Sequence, residues 1–192
     1  MNTVFIGGSR RIGRLNDAIR ARLDNIVDRG LCVVIGDANG SDRAVQAYLA
    51  ERGHRDVVVY CTGNACRNNV GGWHMKMMEA SGERGFDYYA LKDAEMARTA
   101  DCGFMIWDGK SRGTLLNAQR LLGAGKPVVV YFSPDRECIT IRTQDELKAL
   151  LTRCLPSDRQ RLSSLVSRDT AVIFPSGEDA PANERIQRTA DR

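Results

Sequence analysis

The sequence lacks the features expected of membrane-spanning, polyanion-binding or metal-dependent proteins. Its longest apolar run, Val128 to Phe132, is far too short to cross a bilayer, and no basic leader precedes the first apolar segment. The 28 basic and 24 acidic residues leave a net charge of +4, so there is no dense cationic field for a nucleic-acid backbone. No repeat or low-complexity run is present. We therefore expect no membrane and no nucleic-acid partner.

Histidine is scarce, and the cysteines are not spaced as metal ligands. Cys61, Cys66 and His74 are the nearest approach to a zinc set, but the chain has only two histidines and no second close pair of ligands. We therefore predict no metal site. Several of the six cysteines lie inside apolar runs, which is typical of reduced thiols in cytosolic proteins. This distribution predicts a reducing compartment and a cytoplasmic protein.

What the sequence does contain is an alternation of apolar strand segments and amphipathic helices over its 192 residues. Strands joined by helical crossovers pair in parallel and need helices on both faces. We therefore predict an α/β fold, a Rossmann-like doubly wound parallel sheet. Strands are expected at 3–6, 31–35, 57–61, 102–107 and 128–132, and helices at 16–29, 41–49, 88–99 and 114–123.

The predicted organisation is a domain of residues 1–142, a C-terminal helical extension of 143–168 and a flexible tail of 169–192. An edge strand at 138–141, a capping box from Thr143 to Glu146 and a helix after Pro156 are expected around the extension. Residues 62–85 show no sustained periodicity and are predicted to form a long loop with a helical turn near 75–80. Trp73, His74 and the nearby methionines could serve there as a lid, or pack beneath the loop.

The first strand runs into a glycine-rich turn, Gly7 to Gly13. Glycines allow backbone amides to approach a ligand closely, and the helix that follows adds partial positive charge suited to a phosphate. Arg10, Arg11 or Arg14 could clamp that phosphate. The dinucleotide fingerprint G-x-G-x-x-G is absent, and a near match to the Walker A loop continues with Arg14 and Leu15 in place of Lys and Ser/Thr. An NTPase is therefore disfavoured.

Similar turns follow two other strands, Gly36 to Asp42 and Asp108 to Thr114. The second turn offers short polar side chains for ribose hydroxyls, with Ser41 expected to cap the next helix. The third turn again places glycines, a hydroxyl and backbone donors at a helix start. Because parallel strands end at one edge of a sheet, the three turns should converge on one crevice that binds a nucleotide-derived ligand.

The segments 8–10, 36–42, 92–96 and 107–114 together resemble the SLOG superfamily, which includes the Lonely Guy phosphoribohydrolases and DNA-processing protein A. The resemblance covers about residues 3–132 and extends to the nucleoside deoxyribosyltransferases. It implies a Rossmann-like fold and a ligand such as a nucleoside monophosphate, ADP-ribose or NAD, with no cofactor required. Its ligand-contact positions fall on Gly8, Ser9, Arg10, Gly36, Asp42, Ser111, Gly113 and Thr114.

The sequence departs from the family's enzymes at a position that bears on activity. In the family's enzymes a glutamate shortly after the Gly-Thr pair acts on the anomeric carbon, whereas here Asn117 stands nearby and cannot serve as nucleophile or base. We therefore expect a sensor or effector. The alternative is an N-glycosidic hydrolase or deoxyribosyltransferase that uses Asp108 or Asp93, although Asp108 is also read as a turn aspartate. The three turns themselves add ligand-binding candidates to those that the resemblance implies: Gly7, Asp37, Asn39, Gly40, Gly109 and Asn117.

The helix predicted at 114–123 carries leucines on more than one face, at Leu115, Leu116, Leu121 and Leu122. One sheet can bury only one of these faces. We therefore expect a symmetric homo-oligomer, most simply a dimer, that uses this helix. The competing possibility is that the C-terminal helices fold back over the leucines.

Overall fold

The computed structural model describes residues 2–78 and 86–166. Within these ranges the chain forms seven strands and six helices. The strands are β1 (Thr3–Gly8), β2 (Cys32–Gly36), β3 (Val57–Thr62), β4 (His74–Met78), β5 (Cys102–Trp107), β6 (Val128–Phe132) and β7 (Glu137–Ile141). The helices are α1 (Asp17–Asp28), α2 (Ser41–Glu51), α3 (Phe86–Thr99), α4 (Arg112–Gly123), α5 (Gln144–Leu151) and α6 (Pro156–Val166).

The strands form one sheet in the order β4-β3-β2-β1-β5-β6-β7. Neighbouring strands are parallel except for β7, which pairs antiparallel with β6. Residues of α1 and α2 pack on one face, and residues of α3 to α6 pack on the other. The predicted Rossmann-like α/β class is therefore confirmed. The chain first builds outward from β1 to β4 and then resumes at β5 on the other side of β1, which creates a topological switch point.

The central strands are apolar at consecutive positions because both faces of the sheet are covered. In β2, Val34 packs into one core cluster, while Val33 and Ile35 pack into the other. These three side chains are at most 2% exposed. Burial of this kind explains why the sequence shows short continuous apolar runs where a half-exposed sheet would alternate.

The segment 62–85 departs from its prediction as a loop with a helical turn. Residues His74 to Met78 form β4, a parallel edge strand on β3, and residues 79–85 lie outside the described range. Met75 and Met77 point to solvent, while Lys76 pairs with Glu95 of α3 at 2.8 Å. Edge strands that leave apolar side chains exposed give a weak periodic signal, which is why the pattern indicated no strand.

The C-terminal helices cover the leucines of α4. Leu115, Leu121 and Leu122 are buried in a core shared with leucines of α5 and α6. These three leucines are therefore buried as the competing possibility expects, whereas Leu116 is only partly buried. The predicted capping box is confirmed, since Thr143 and Glu146 bond reciprocally at the start of α5. A homo-oligomer, including one that uses α4, stays a prediction. The predicted tail at 169–192 lies outside the described residues.

Two of the cysteines are not free thiols. Cys61 at the end of β3 and Cys66 in the following loop form a disulfide, so the expectation of reduced thiols is wrong for this pair. Their spacing gives no hint of the pairing, because two nearby cysteines fit a free, metal-bound or oxidised state equally well.

Of the helices in the described residues, none is long and apolar enough to span a membrane.

Candidate functional site

A cavity of about 720 Å³ opens at the carboxyl ends of β1, β2 and β5. Its position is the switch point of the sheet, where open α/β folds bind their ligands. Phe5 of β1 and Met96 of α3 supply apolar wall, and the remaining lining is largely polar. Among the described residues, seven basic side chains border the cavity (Arg10, Arg11, Arg67, Lys92, Lys110, Arg112 and Arg161), against four acidic ones (Asp42, Asp93, Asp108 and Asp158).

The structure brings most of the predicted site residues together, and the three turns do converge. Those that line the cavity are Gly7, Gly8, Arg10, Gly36, Asp42, Asp93, Asp108, Ser111, Gly113, Thr114 and Asn117. Five other predicted residues do not line it: Ser9, Asp37, Asn39, Gly40 and Gly109. Ser9, Asp37, Asn39 and Gly40 make the contacts within and between the turns that are described below, and Gly109 has a φ of 74°.

Asp108 ties the third turn to the first. Its Oδ1 accepts hydrogen bonds from the Ser9 hydroxyl at 2.9 Å and from the N–H groups of Lys110 and Ser111 at 2.9 and 2.8 Å. The Ser9 Oγ in return accepts the Asp108 N–H at 3.1 Å, and Ser9 is completely buried. One oxygen of Asp108 is thus engaged in forming the turn, which is the turn-aspartate role.

The second turn is joined to the first by backbone proximity. The Ser41 hydroxyl donates to the carbonyls of Ser9 and Ile12 at 2.9 and 3.2 Å, so it does not cap α2 as predicted. Gly40 takes that cap position with φ of 84°, and a Cβ there would lie 2.1 Å from the Arg10 carbonyl oxygen. Glycine at 40 therefore allows the two turns to touch. Asn39 accepts a bond from Asn68 at 3.0 Å.

A buried ionic cluster underlies the second turn. Asp37, at 1% exposure, accepts bonds from the Arg67 N–H, Nε and Nη2, and its Oδ1 also accepts from Lys92 Nζ at 3.1 Å. Burial alone raises the pKa of Asp37, but the Arg67 hydrogen bonds and the charge of Lys92 outweigh it and lower the pKa to about 2. Asp37 is therefore the anion that holds two cations beside the cavity.

Arg67 and Lys92 are cavity residues that the candidate set from the sequence did not include. Arg67 follows the Cys61–Cys66 disulfide, and its loop is fastened to the second turn through Asp37. For Lys92 a signal was present: Lys92 and Met96 of α3 and Ala100, just after its end, are spaced four residues apart, and all three are buried. A lysine in such a stripe must find a buried partner.

Asp42 is the buried carboxylate that faces the cavity. It is 7% exposed, and its Oδ2 accepts the Ala38 N–H at 3.2 Å. Burial and the charge of neighbouring Asp93 raise the pKa of Asp42, and together they outweigh the opposing charge of Lys92, so the pKa reaches about 6. Asp42 therefore titrates close to neutrality.

Asp93 and Asn117 form a second polar pair in the cavity wall. The Asn117 amide donates to Asp93 Oδ2 at 3.2 Å, and its oxygen accepts from Arg120 at 2.7 Å. Asn117 thus connects a buried arginine to a carboxylate that borders the cavity. Since an amide neither ionises nor attacks carbon, Asn117 positions Asp93 and takes no chemical step itself.

The outer wall of the cavity comes from the C-terminal extension. Arg161 of α6 donates to the Lys110 carbonyl at 2.9 Å and to Asp158 at 3.2 Å. Lys110 Nζ lies 3.9 Å from the other oxygen of Asp158. The resemblance ends before this segment, so no sequence feature assigns α6 to the site.

The residues considered for a lid and for zinc lie elsewhere. The Trp73 indole donates to the His54 carbonyl at 2.9 Å at the opposite edge of the sheet, and residues of β4 do not border the cavity. The sulfurs of Cys61 and Cys66 lie within 4.8 Å of an Asp37 oxygen. As they stand these three residues cannot hold a metal ion, because the sulfurs are bonded to each other and Asp37 is held by its two cations.

Fold and site together define a Rossmann-like α/β protein with one polar cavity at the switch point of its sheet, among the residues that the structure describes. No protein-family model and no curated protein matches the chain. Among solved structures, the chain is similar to DNA processing protein A from Helicobacter pylori, a structure described for its single-stranded DNA binding mode. The two share 14% identity over 86% of this chain and 80% of the other, with a TM-score of 0.54. At this identity the similarity shows the fold alone.

Proposed function

We propose that the chain binds a nucleotide-derived ligand, such as a nucleoside monophosphate, ADP-ribose or NAD, in the cavity at the carboxyl ends of β1, β2 and β5. The observation that carries the proposal is the convergence of three glycine-bearing turns on one cavity large enough for such a molecule. In this role the chain acts as a sensor or effector. The resemblance to the SLOG superfamily supports the same assignment.

The phosphate is expected between the first and third turns. Arg10 and Arg11 line the cavity after β1, and Arg112 and Gly113 begin α4 on its other side. The first N–H groups of a helix lack intrahelical acceptors, so they and the arginines suit an anionic oxygen. Basic side chains in excess over acidic ones give the cavity the matching sign of charge.

A second candidate function is N-glycosidic cleavage, and the pairing of Asp42 with Asp93 favours it. Both carboxylates border the cavity, and the charge of Asp93 helps to raise the pKa of Asp42 to about 6. Glycoside chemistry uses two carboxyl groups in this way, one as the acid and one as the nucleophile, and a raised pKa suits the acid. Asp93 is better suited than Asp108, whose Oδ1 already takes three hydrogen bonds.

The test is calorimetry and thermal shift with AMP, GMP, CMP, UMP, ADP-ribose and NAD, alongside free adenine. Nucleoside phosphates or ADP-ribose are expected to stabilise the fold, while adenine is not, because the donors are directed at phosphate. Arg10→Ala should weaken binding by about 1.5–3 kcal/mol, the scale of a charge-assisted hydrogen bond. Arg55→Ala is the matched control, since Arg55 precedes β3 and so lies at the amino ends of the parallel strands, whereas the cavity lies at their carboxyl ends.

Chromatography of the same mixtures separates the two candidate functions. Release of free base that Asp93→Asn abolishes would establish cleavage, and binding without release would leave a sensor or effector. Equal stabilisation by adenine alone, or an unchanged affinity in Arg10→Ala, would contradict the phosphate assignment.

A further inference from the structure

Gly36 leaves a gap between two buried charged groups. A Cβ at this position would lie 2.6 Å from both Asp42 Oδ2 and Lys92 Nζ, closer than real Cβ atoms approach any neighbour. The two charged atoms are thus no further apart than twice that distance, yet Lys92 pairs with Asp37 and not directly with Asp42. The absence of a side chain at 36 keeps open the approach to the space between them.

Both groups keep hydrogen-bonding capacity on the cavity side. Lys92 is 3% exposed and has three N–H donors, of which, among the described residues, one is directed to Asp37 Oδ1. Asp42 is 7% exposed, and its Oδ2 accepts one bond, from Ala38, whereas a carboxylate has about four lone-pair sites. Both residues line the cavity. A donor and an acceptor therefore face each other across Gly36.

A hydroxyl satisfies both sides with a single oxygen atom. Its oxygen accepts from the ammonium of Lys92 while its O–H donates to the carboxylate of Asp42. A phosphate oxygen would be repelled by Asp42, and a ligand ammonium would be repelled by Lys92. A carbonyl oxygen would leave Asp42 without a donor.

We propose that Lys92 and Asp42 bind a ribose hydroxyl of the ligand above Gly36, so that the site selects ribonucleotide-derived ligands over their deoxy counterparts. The inference rests on the proposed function and deepens it. Gly36 ends β2, next to β1, whose turn carries Arg10 and Arg11. Neighbouring strands are about 4.8 Å apart, so a phosphate at the end of β1 and a hydroxyl at the end of β2 are separated by about one sugar.

The first experiment uses the unaltered protein, so it does not depend on a variant that folds. Calorimetry compares AMP with 2′-deoxy-AMP and 3′-deoxy-AMP, or the nucleotide of the panel that binds most tightly with its own two deoxy analogues. At least one deoxy analogue is expected to bind roughly ten- to a hundredfold more weakly than the ribonucleotide, because it lacks the hydroxyl that pairs with the two buried charged groups.

The second experiment assigns the selectivity to this pair. Asp42→Asn keeps the shape of the side chain and should reduce the ribo-over-deoxy ratio, while the affinity for the deoxy analogue stays within about threefold of the wild type. Asp56→Asn, an exposed residue before β3, is the matched control and should keep the full ratio.

Each outcome decides a different claim. Equal affinity for all three nucleotides overturns the hydroxyl inference and leaves phosphate binding intact. Selectivity that persists in Asp42→Asn places the hydroxyl elsewhere and also overturns the inference. Failure of every nucleoside phosphate and of ADP-ribose to bind removes the proposed function, and the inference with it.

Discussion

Gly36→Ala is the substitution that most directly tests the arrangement of the cavity. The added methyl would sit 2.6 Å from both Asp42 Oδ2 and Lys92 Nζ, so at least one of these side chains must move. The backbone itself accepts alanine, since Gly36 is the last residue of β2 and lies in register with Tyr60 of β3. Any effect therefore comes from the displaced side chains and not from backbone strain.

The size of the effect follows from what has to shift. An extra methyl in a tightly packed site costs about 1–3 kcal/mol. The upper half of that range applies if Lys92 is pushed away from Asp37, since a buried carboxylate then loses one of its two cations. For a chain of this size each kcal/mol lowers Tm by about 2–4 °C.

Calorimetric unfolding and nucleotide titration measure the two consequences separately. We expect a lower Tm, together with a loss of affinity for ribonucleotides at least as large as that of Asp42→Asn, because the methyl occupies the approach to the hydroxyl position. Gly13→Ala is the matched control: a Cβ at position 13 has no heavy atom within 4 Å, and both properties should stay at wild-type values. A Gly36→Ala protein with wild-type Tm and wild-type affinity would refute the reasoning.

Three further predictions concern stability. Because the pKa of Asp42 is raised to about 6, the free energy of unfolding should rise as the pH falls from about 6 towards 4, and this rise should vanish in Asp42→Asn. The charged groups around Asp42 are Lys92, Asp93 and Asp37. Asp37, with its pKa of about 2, contributes the opposite trend only below about pH 4. Denaturant titrations at several pH values check this, and an unaltered slope in the variant would contradict it. Reducing the Cys61–Cys66 bond should cost about 2 kcal/mol, the chain-entropy value for so short a loop, and the Cys61→Ser/Cys66→Ser protein should no longer respond to reductant. Truncation after Arg142 removes α5 and α6, so light scattering should detect self-association through the uncovered leucines of α4, whereas a truncated monomer with the parent Tm would show that the helices contribute nothing there.

The sequence predicts well the parts of this fold whose signals are local. Apolar runs located six of the seven strands to within two residues, and glycine-bearing turns located the cavity, because both depend on neighbours in the chain. The cap of α2 shows where local reasoning ends. Ser41 has the right residue type for a cap, yet its hydroxyl is used by the carbonyls of Ser9 and Ile12, which are distant in sequence. Tertiary contacts there override the local preference.

The residues that sequence reasoning did not assign to the site are bound through long-range pairs. Lys92 and Asp37 are 55 positions apart, and Arg67 reaches the same carboxylate from 30 positions away. Arg161 joins the cavity from α6, 51 positions beyond the Lys110 carbonyl to which it bonds. Charge complementarity could have matched these residues in many ways, and only the folded chain selects one.

The buried ions also explain how the cavity can be ready for its ligand in advance. A lysine with 3% exposure is costly to bury alone, but Asp37 compensates the charge of Lys92 and in turn is held by Arg67. Lys92 is therefore already in place, and the proposed hydroxyl contact would need little rearrangement of the protein. In the proposed function, Asp37, which does not line the cavity, would act on ligand binding through Lys92. Asp37 was predicted to contact the ligand, but its contact with Lys92 Nζ makes it a positioning residue in that proposal.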